Sequence, residues 1–168
     1  MIKKVMVNDA WLQSHSVYLR EIEEVDVTNG IWHKWYNDYE LTAYNSHGVY
    51  PINVDDERQF FRNSKNNRAE ISLAICAVES GLVIGAVSLV GIDLLNRKAE
   101  VTCTIADNIS PTAGLESIGL IIQHGMDRLN LNKINGGAHD GLSDWVKMMS
   151  CLGFVYEGRL REESLRNG

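Results

Sequence analysis

The period of the apolar positions changes along the chain, and each change marks an element. Residues 16–20, with Val17, Tyr18 and Leu19 in one short run, read as a short strand. Residues 27–37 carry Trp32, Trp35 and Tyr36 on one helical face, with Thr28 or Asn29 as N-cap. Residues 41–52 show no period. A second helix opens at Asn53 and runs to about residue 64, its acids Asp55, Asp56 and Glu57 suited to the positive helix end. The period then drops to two. Residues 69–78, 82–90 and 99–105 read as three strands of a meander, the first two joined by the turn Glu79-Ser80-Gly81. Leu115, Ile118, Ile121, Ile122, Met126 and Leu129 form one stripe, which predicts a long helix over 114–130. A strand over 133–138, a helix over 142–151 closed by Gly153, and a final strand over 154–160 complete the order. The order β-α-α-β-β-β-α-β-α-β implies an α+β sheet that turns parallel late.

A chain of 168 residues fits one domain, over 1–168, with enough length to bury a core. The formal charge of −6 argues against partners such as nucleic acid or an anionic membrane. Cys76, Cys103 and Cys151 are widely spaced in apolar runs and read as reduced core thiols, with no CxxC pair to hold a metal. No apolar run approaches the roughly 20 residues of a membrane span. Residues 1–11 lack a signal-peptide core, so the expected location is cytoplasmic.

The strand, loop and helix over 99–130 carry the most chemistry. A helix N-terminus offers free N–H groups and a positive dipole end, which suits a pyrophosphate. Ser110, Thr112 and Gly114 keep the preceding loop small. The same pattern also fits an ordinary strand-to-helix connection.

The order of elements, from about Val17 to Arg166, resembles the GNAT acetyltransferase superfamily. Within it the chain resembles the branch of ribosomal-protein N-terminal and amino-sugar acetyltransferases. Five stretches carry the resemblance: Trp35-Tyr36-Asn37-Asp38-Tyr39-Glu40-Leu41-Thr42, Ala99-Glu100-Val101, Gly114-Leu115-Glu116-Ser117, the 129–134 run ending Lys133-Ile134, and Leu152-Gly153-Phe154 followed by Glu157-Gly158-Arg159-Leu160-Arg161. The resemblance implies a mixed, V-splayed sheet flanked by helices and acetyl-CoA as co-substrate, with no metal. It implies that Thr104, Ile105 and Ala106 bond the cofactor arm, and that Ser110, Thr112, Ala113, Gly114 and Leu115 bind its phosphates.

The chain departs from the family pattern at several points. The family's cofactor loop reads Q/R-x-x-G-x-G/A, whereas here Ile109 and Thr112 replace two of its members and Pro111 removes a donor. Met149 stands where many members have the tyrosine that protonates the leaving thiolate. The family continues into one more strand beyond Arg166-Asn167-Gly168; without it, a sheet edge is left for a homodimer mate to cover.

Acetyl transfer to an amine needs a neutral amine, a polarised thioester carbonyl and a protonated thiolate. Glu100 is the candidate general base if it is buried in its apolar strand; the alternative is an outward-facing glutamate. Ser143 and Tyr156 are candidate acids, Tyr156 fitting a core aromatic equally well. The adjacent residues His139 and Asp140 should point apart, as on a strand end, which favours a loop role over a dyad. Asn37, Tyr44, His47 and Tyr50 fall where the acceptor should be covered, while Trp32 and Trp35 read as core. Arg159, Arg161 and Arg166 are either phosphate ligands or solvated. The expected activity is N-acetylation of a small primary amine, such as an amino-sugar or nucleotide-linked amino-sugar. A protein N-terminal amine is the alternative acceptor. A non-catalytic acyl-CoA-binding module, or a fold relative that has lost CoA and acts through its sheet edge, are the alternative functions.

Overall fold

The computed structural model describes residues 8–28, 31–44, 49–105 and 112–163. Ala106, Ser110 and His47, three of the predicted site residues, lie outside them, as do Ile109, Pro111 and Arg166.

The strands are β1 (Leu12–Gln13), β2 (Val17–Glu21), β3 (Ile71–Ala77), β4 (Val83–Asp93), β5 (Lys98–Ile105) and β6 (Lys133–Asn135). The helices are α1 (Glu24–Thr28), α2 (Ile31–Tyr36), α3 (Val54–Lys65), α4 (Ala113–Asp127) and α5 (Ser143–Cys151). They form one sheet in the order β1-β2-β3-β4-β5-β6. Every neighbouring pair is antiparallel except β5 and β6. The expected mixed sheet, parallel only late, is what forms.

Side-chain alternation along the strands divides the core into two layers. On one face Leu19, Leu73, Ile75, Val87, Leu89 and Val101 pack beneath Ala113, Ile118 and Ile121 of α4. On the other, Tyr18, Ala74, Cys76 and Ala86 meet Val27 of α1, Trp32 of α2 and Phe61 of α3. Trp32 is 4% exposed, so the aromatic stripe is core as expected.

α3 starts where Asn53 caps it. Asn53 Oδ1 accepts from the Asp55 and Asp56 N–H groups at 2.8 and 3.0 Å, and Asp56 returns a carboxylate to the Asn53 N–H at 2.9 Å. Such a box contributes about 1 kcal/mol.

Three expectations need correction, and one strand, β1, was not expected. The helix read over 27–37 is two short helices, α1 and α2, because α1 begins earlier, at Glu24. The two-residue β1 is too short to leave a pattern in the sequence. The final strand over 154–160 is absent from the sheet. That segment finds no ladder partner among the described residues, and Val155, Tyr156 and Leu160 stand exposed. Cys76 is buried and Cys103 half-buried, but Cys151, at the end of α5, is exposed; all three are free thiols.

Candidate active site

The parallel pair β5–β6 is tied firmly at one end. Arg97, in a left-handed conformation with φ 55°, donates from Nε to the Asn130 carbonyl at 2.6 Å and from Nη2 to Asn130 Oδ1 at 2.8 Å. Its own carbonyl accepts from the N–H groups of Asn132 and Lys133 at 2.7 and 3.1 Å. From this clamp the ladder runs through Lys98↔Lys133, Ala99↔Ile134 and Glu100↔Asn135, and then stops. Residues 101–105 of β5 therefore have backbone groups on that side without a ladder partner among the described residues.

The chain leaves β6 through Gly136 and Gly137. Met149 of α5, 5% exposed, fills the space a side chain at 136 would need. Gly137 is open; the nearest atom to a would-be Cβ is Glu100 Oε1 at 3.8 Å. Beyond it the loop folds back on itself. The Gly141 N–H donates to His139 Nδ1 at 3.1 Å, and Asp140 Oδ1 lies 3.3 Å from the same nitrogen. The expectation that His139 and Asp140 point apart is overturned, because this segment is a turn rather than a strand end. The Tyr44 ring stacks on His139 with centroids 4.9 Å apart. Arg159 closes the group with an ion pair to Asp140 at 2.5 Å.

α4 begins beside the open edge of β5. Ala113 is fully buried, Leu115 half-buried, and Gly114 lets Met148 Sδ approach to 3.2 Å from where its Cβ would lie. Thr112 caps this helix without a side-chain cap bond; its hydroxyl donates to Glu116 Oε1 at 3.0 Å instead of standing free for a phosphate. Glu116 also accepts from the His15 and Ser16 N–H groups and from the Ser16 hydroxyl. Partial burial opposes its charge, but these hydrogen bonds, with others from Ser14 and Thr112, prevail and hold its carboxyl down at about 2. The start of α4 is thereby fastened to the β1–β2 turn.

The remaining predicted residues separate clearly. Thr104 and Ile105 end β5, opposite Ala86 and Gly85, and a side chain at Gly85 would run into the Thr104 carbonyl. Glu100 is exposed and is not the buried acid that its apolar strand suggests, because its side chain leaves the sheet on the solvent side. Ser143 is exposed at the start of α5. Tyr156, at 73% exposure, is not a core aromatic. Asn37 ties two segments together, because its amide donates to the carbonyls of His33 and Ile52 and accepts from the Ile52 N–H. Tyr50 is 79% exposed. Arg159, its side chain 70% exposed, forms a surface ion pair with Asp140.

One residue gave no sign of itself in the sequence. The Trp145 indole N–H on α5 is buried without a hydrogen-bond partner among the described residues. A tryptophan in a helical stripe gives no signal of this, since it reads as core. A helix N-terminus beside an unpaired strand edge fits a co-substrate with amide, carbonyl and phosphate groups. A CoA thioester has all three. The 101–105 backbone would meet its pantetheine amides, and the first turn of α4 its pyrophosphate. Among the described residues no cluster of His, Cys, Asp or Glu could hold a metal ion.

A sheet that opens between two parallel strands, with a helix N-terminus at the opening, defines the class of acyltransferases that seat a thioester in the gap. The model of the Acetyltransferase (GNAT) domain family matches residues 16–155, and the chain belongs to that family. It is an N-acetyltransferase. A search of curated proteins finds no match. Among solved structures, the chain is 25% identical to a spermidine N-acetyltransferase from Vibrio cholerae in complex with CoA and spermine, with a TM-score of 0.82 over 91% of this chain and 89% of that one. A chimera of the Vibrio cholerae enzyme gives 23% identity and a TM-score of 0.79, covering 92% and 89% of the two chains. A dodecameric structure of the Vibrio cholerae enzyme gives 24% and 0.75, covering 91% and 87%. No helix among the described residues is long and apolar enough to cross a membrane.

Proposed function

We propose that the acceptor is a primary amine carried on a small, flexible polycation of the polyamine type, acetylated by direct attack on acetyl-CoA. The observation that carries this reading is Glu100. Its carboxylate is exposed next to the glycine pair where β5 and β6 part, and it makes no ion pair among the described residues. A solvated carboxylate there attracts an ammonium group toward the gap and is better suited to that than to removing its proton. The net charge of −6 favours the encounter. Spermine in the complex of the Vibrio cholerae enzyme supports the same acceptor class.

An amino-sugar linked to a nucleotide is the weaker reading, because Arg159, the cation beside the site, is already held by Asp140. Membership of the ribosomal-protein N-terminal branch, a protein N-terminal acceptor and a homodimer remain proposals of lower rank. Ser143 and Tyr156 share that rank as candidate acids, both being exposed to solvent.

The test is thiol release from acetyl-CoA in the presence of spermine, spermidine, glucosamine and a peptide with a free N-terminus. We expect turnover with the polyamines, and a rise of about tenfold in their KM for Glu100→Gln with the KM for acetyl-CoA unchanged. Turnover with glucosamine or peptide alone would exclude the polyamine reading. CoA binding without thiol release from any amine would leave an acyl-CoA-binding module.

A further inference from the structure

Two irregularities of the sheet meet at Gly85, near the start of β4. Toward β3 the register slips: Ile75 faces Gly85 but Cys76 faces Val83, which leaves Ile84 as the extra residue of a bulge. Toward β5 the backbones close in. Gly85 faces Ile105, and Ala86 faces Thr104. A Cβ on Gly85 would overlap the Thr104 carbonyl oxygen and lie 3.1 Å from Ile105 Cα and 3.3 Å from its Cγ1. The first two are backbone atoms, which no rotamer change can move aside. Glycine inside a strand marks such a close approach.

The same contact fixes where the next donor points. The Thr104 carbonyl is directed at β4. In a trans peptide the following N–H points the opposite way. The Ile105 N–H is therefore directed to the β6 side of β5, where the ladder has already ended at Glu100↔Asn135. The Ile105 side chain continues to α4, with Cδ1 3.5 Å from where a Cβ on Gly114 would lie. One residue thus spans from the close approach at Gly85 to the first turn of that helix.

Resting on the acetyl-CoA reading above, we infer that Gly85 is a positioning residue for the co-substrate: the missing side chain lets the 104–105 peptide seat against β4, which directs the Ile105 N–H into the gap and keeps that edge of β5 clear for the thioester arm. A side chain at 85 pushes the peptide away from β4, toward the space the arm needs, and turns the N–H off line.

Calorimetric titration with CoA tests this without any acceptor. Gly85→Ala should weaken CoA binding about tenfold or more, as expected when one hydrogen bond is lost. Gly125→Ala is the comparison, because its Cβ would crowd side chains of Ile134, Leu89 and Leu131 at 3.0 to 3.3 Å, about three helical turns past Gly114. It should lower the melting temperature and leave CoA affinity within about twofold. Should Gly85→Ala not fold, Ile105→Pro measured against Ile105→Ala asks the same question. Only the proline removes the N–H, and an unpaired strand side tolerates it. The proline variant should fold as the alanine variant does and bind CoA about tenfold more weakly. Wild-type affinity in Gly85→Ala, equal losses in Gly85→Ala and Gly125→Ala, or equal affinity of the two Ile105 variants would each overturn the inference. So would a proline variant that unfolds where the alanine variant does not, since the N–H would then belong to the β4 ladder. Wild-type protein that binds no CoA would instead bring down the acetyl-CoA reading, and this inference with it.

Discussion

Gly141 is a glycine because Tyr44 lies where a side chain would go. A Cβ at 141 would fall 2.8 Å from Tyr44 Cε1, 2.9 Å from its Cζ and 3.2 Å from His139 Nδ1. Tyr44 is 43% exposed, so its ring can swing into solvent at little cost in stability. Gly141→Ala should therefore leave the melting temperature nearly unchanged while raising the KM for the amine acceptor about tenfold, because the Tyr44 ring is displaced from the acceptor side of the proposed site. Steady-state kinetics beside a thermal melt check this; a large fall in melting temperature would show that the contact is structural instead. At this scale the sequence is only partly readable. Tyr44 and Asn37 were both read as acceptor-side residues, and neither the contact of Tyr44 with His139 nor the bonds of the Asn37 amide to the backbone of Ile52 could be read from the sequence. Composition identifies groups able to bond but not the groups they bond to.

At the scale of elements, α4 depends on Glu116. This residue joins the first turn of the helix to the β1–β2 turn about a hundred residues earlier, through the Ser16 N–H at 2.9 Å and its hydroxyl at 2.7 Å. Its carboxyl is lowered from 4.5 to about 2 in the folded chain. The stabilisation is accordingly complete above the unfolded value and disappears as pH falls through about 2. Glu116→Gln should cost on the order of 1–2 kcal/mol at neutral pH, with the difference from wild type shrinking as the solution is acidified from pH 4.5. Urea titrations at several pH values measure this, and a difference independent of pH would refute the charge argument. The helices and meander strands were legible because their periods are local properties of the chain. The strand expected over 154–160 was not, because strand formation depends on a partner. An extended apolar stretch with nothing to pair with keeps its pattern and never joins a ladder.

The whole molecule is a sheet between two unlike layers, and the layer built from α1, α2 and α3 buries a carboxyl. Glu57 is only 4% exposed, one turn before Phe61 on the inner face of α3. Burial, with a smaller push from Asp56, raises its carboxyl from 4.5 to about 7. The same layer pushes the Tyr36 phenol up to about 12, again mainly by burial. In sequence Glu57 looked like an ordinary acid at the positive end of a helix; that its face turns inward was invisible without the sheet. The folded state holds the Glu57 proton more tightly than the unfolded chain does. Its contribution is therefore fully present below pH 4.5 and is lost as pH rises through about 7. Glu57→Gln keeps the shape and removes the charge. The variant should match wild type below pH 4.5 and exceed it above pH 7, by on the order of 2 kcal/mol. Denaturation of both proteins at pH 4, 6 and 8 measures the difference curve. A gain confined to the alkaline side means that this helical layer tolerates a neutral Glu57 and strains against a charged one. A loss at every pH means that the carboxylate has a partner worth more than its burial costs, and the layer would then have to be read as organised around that charge.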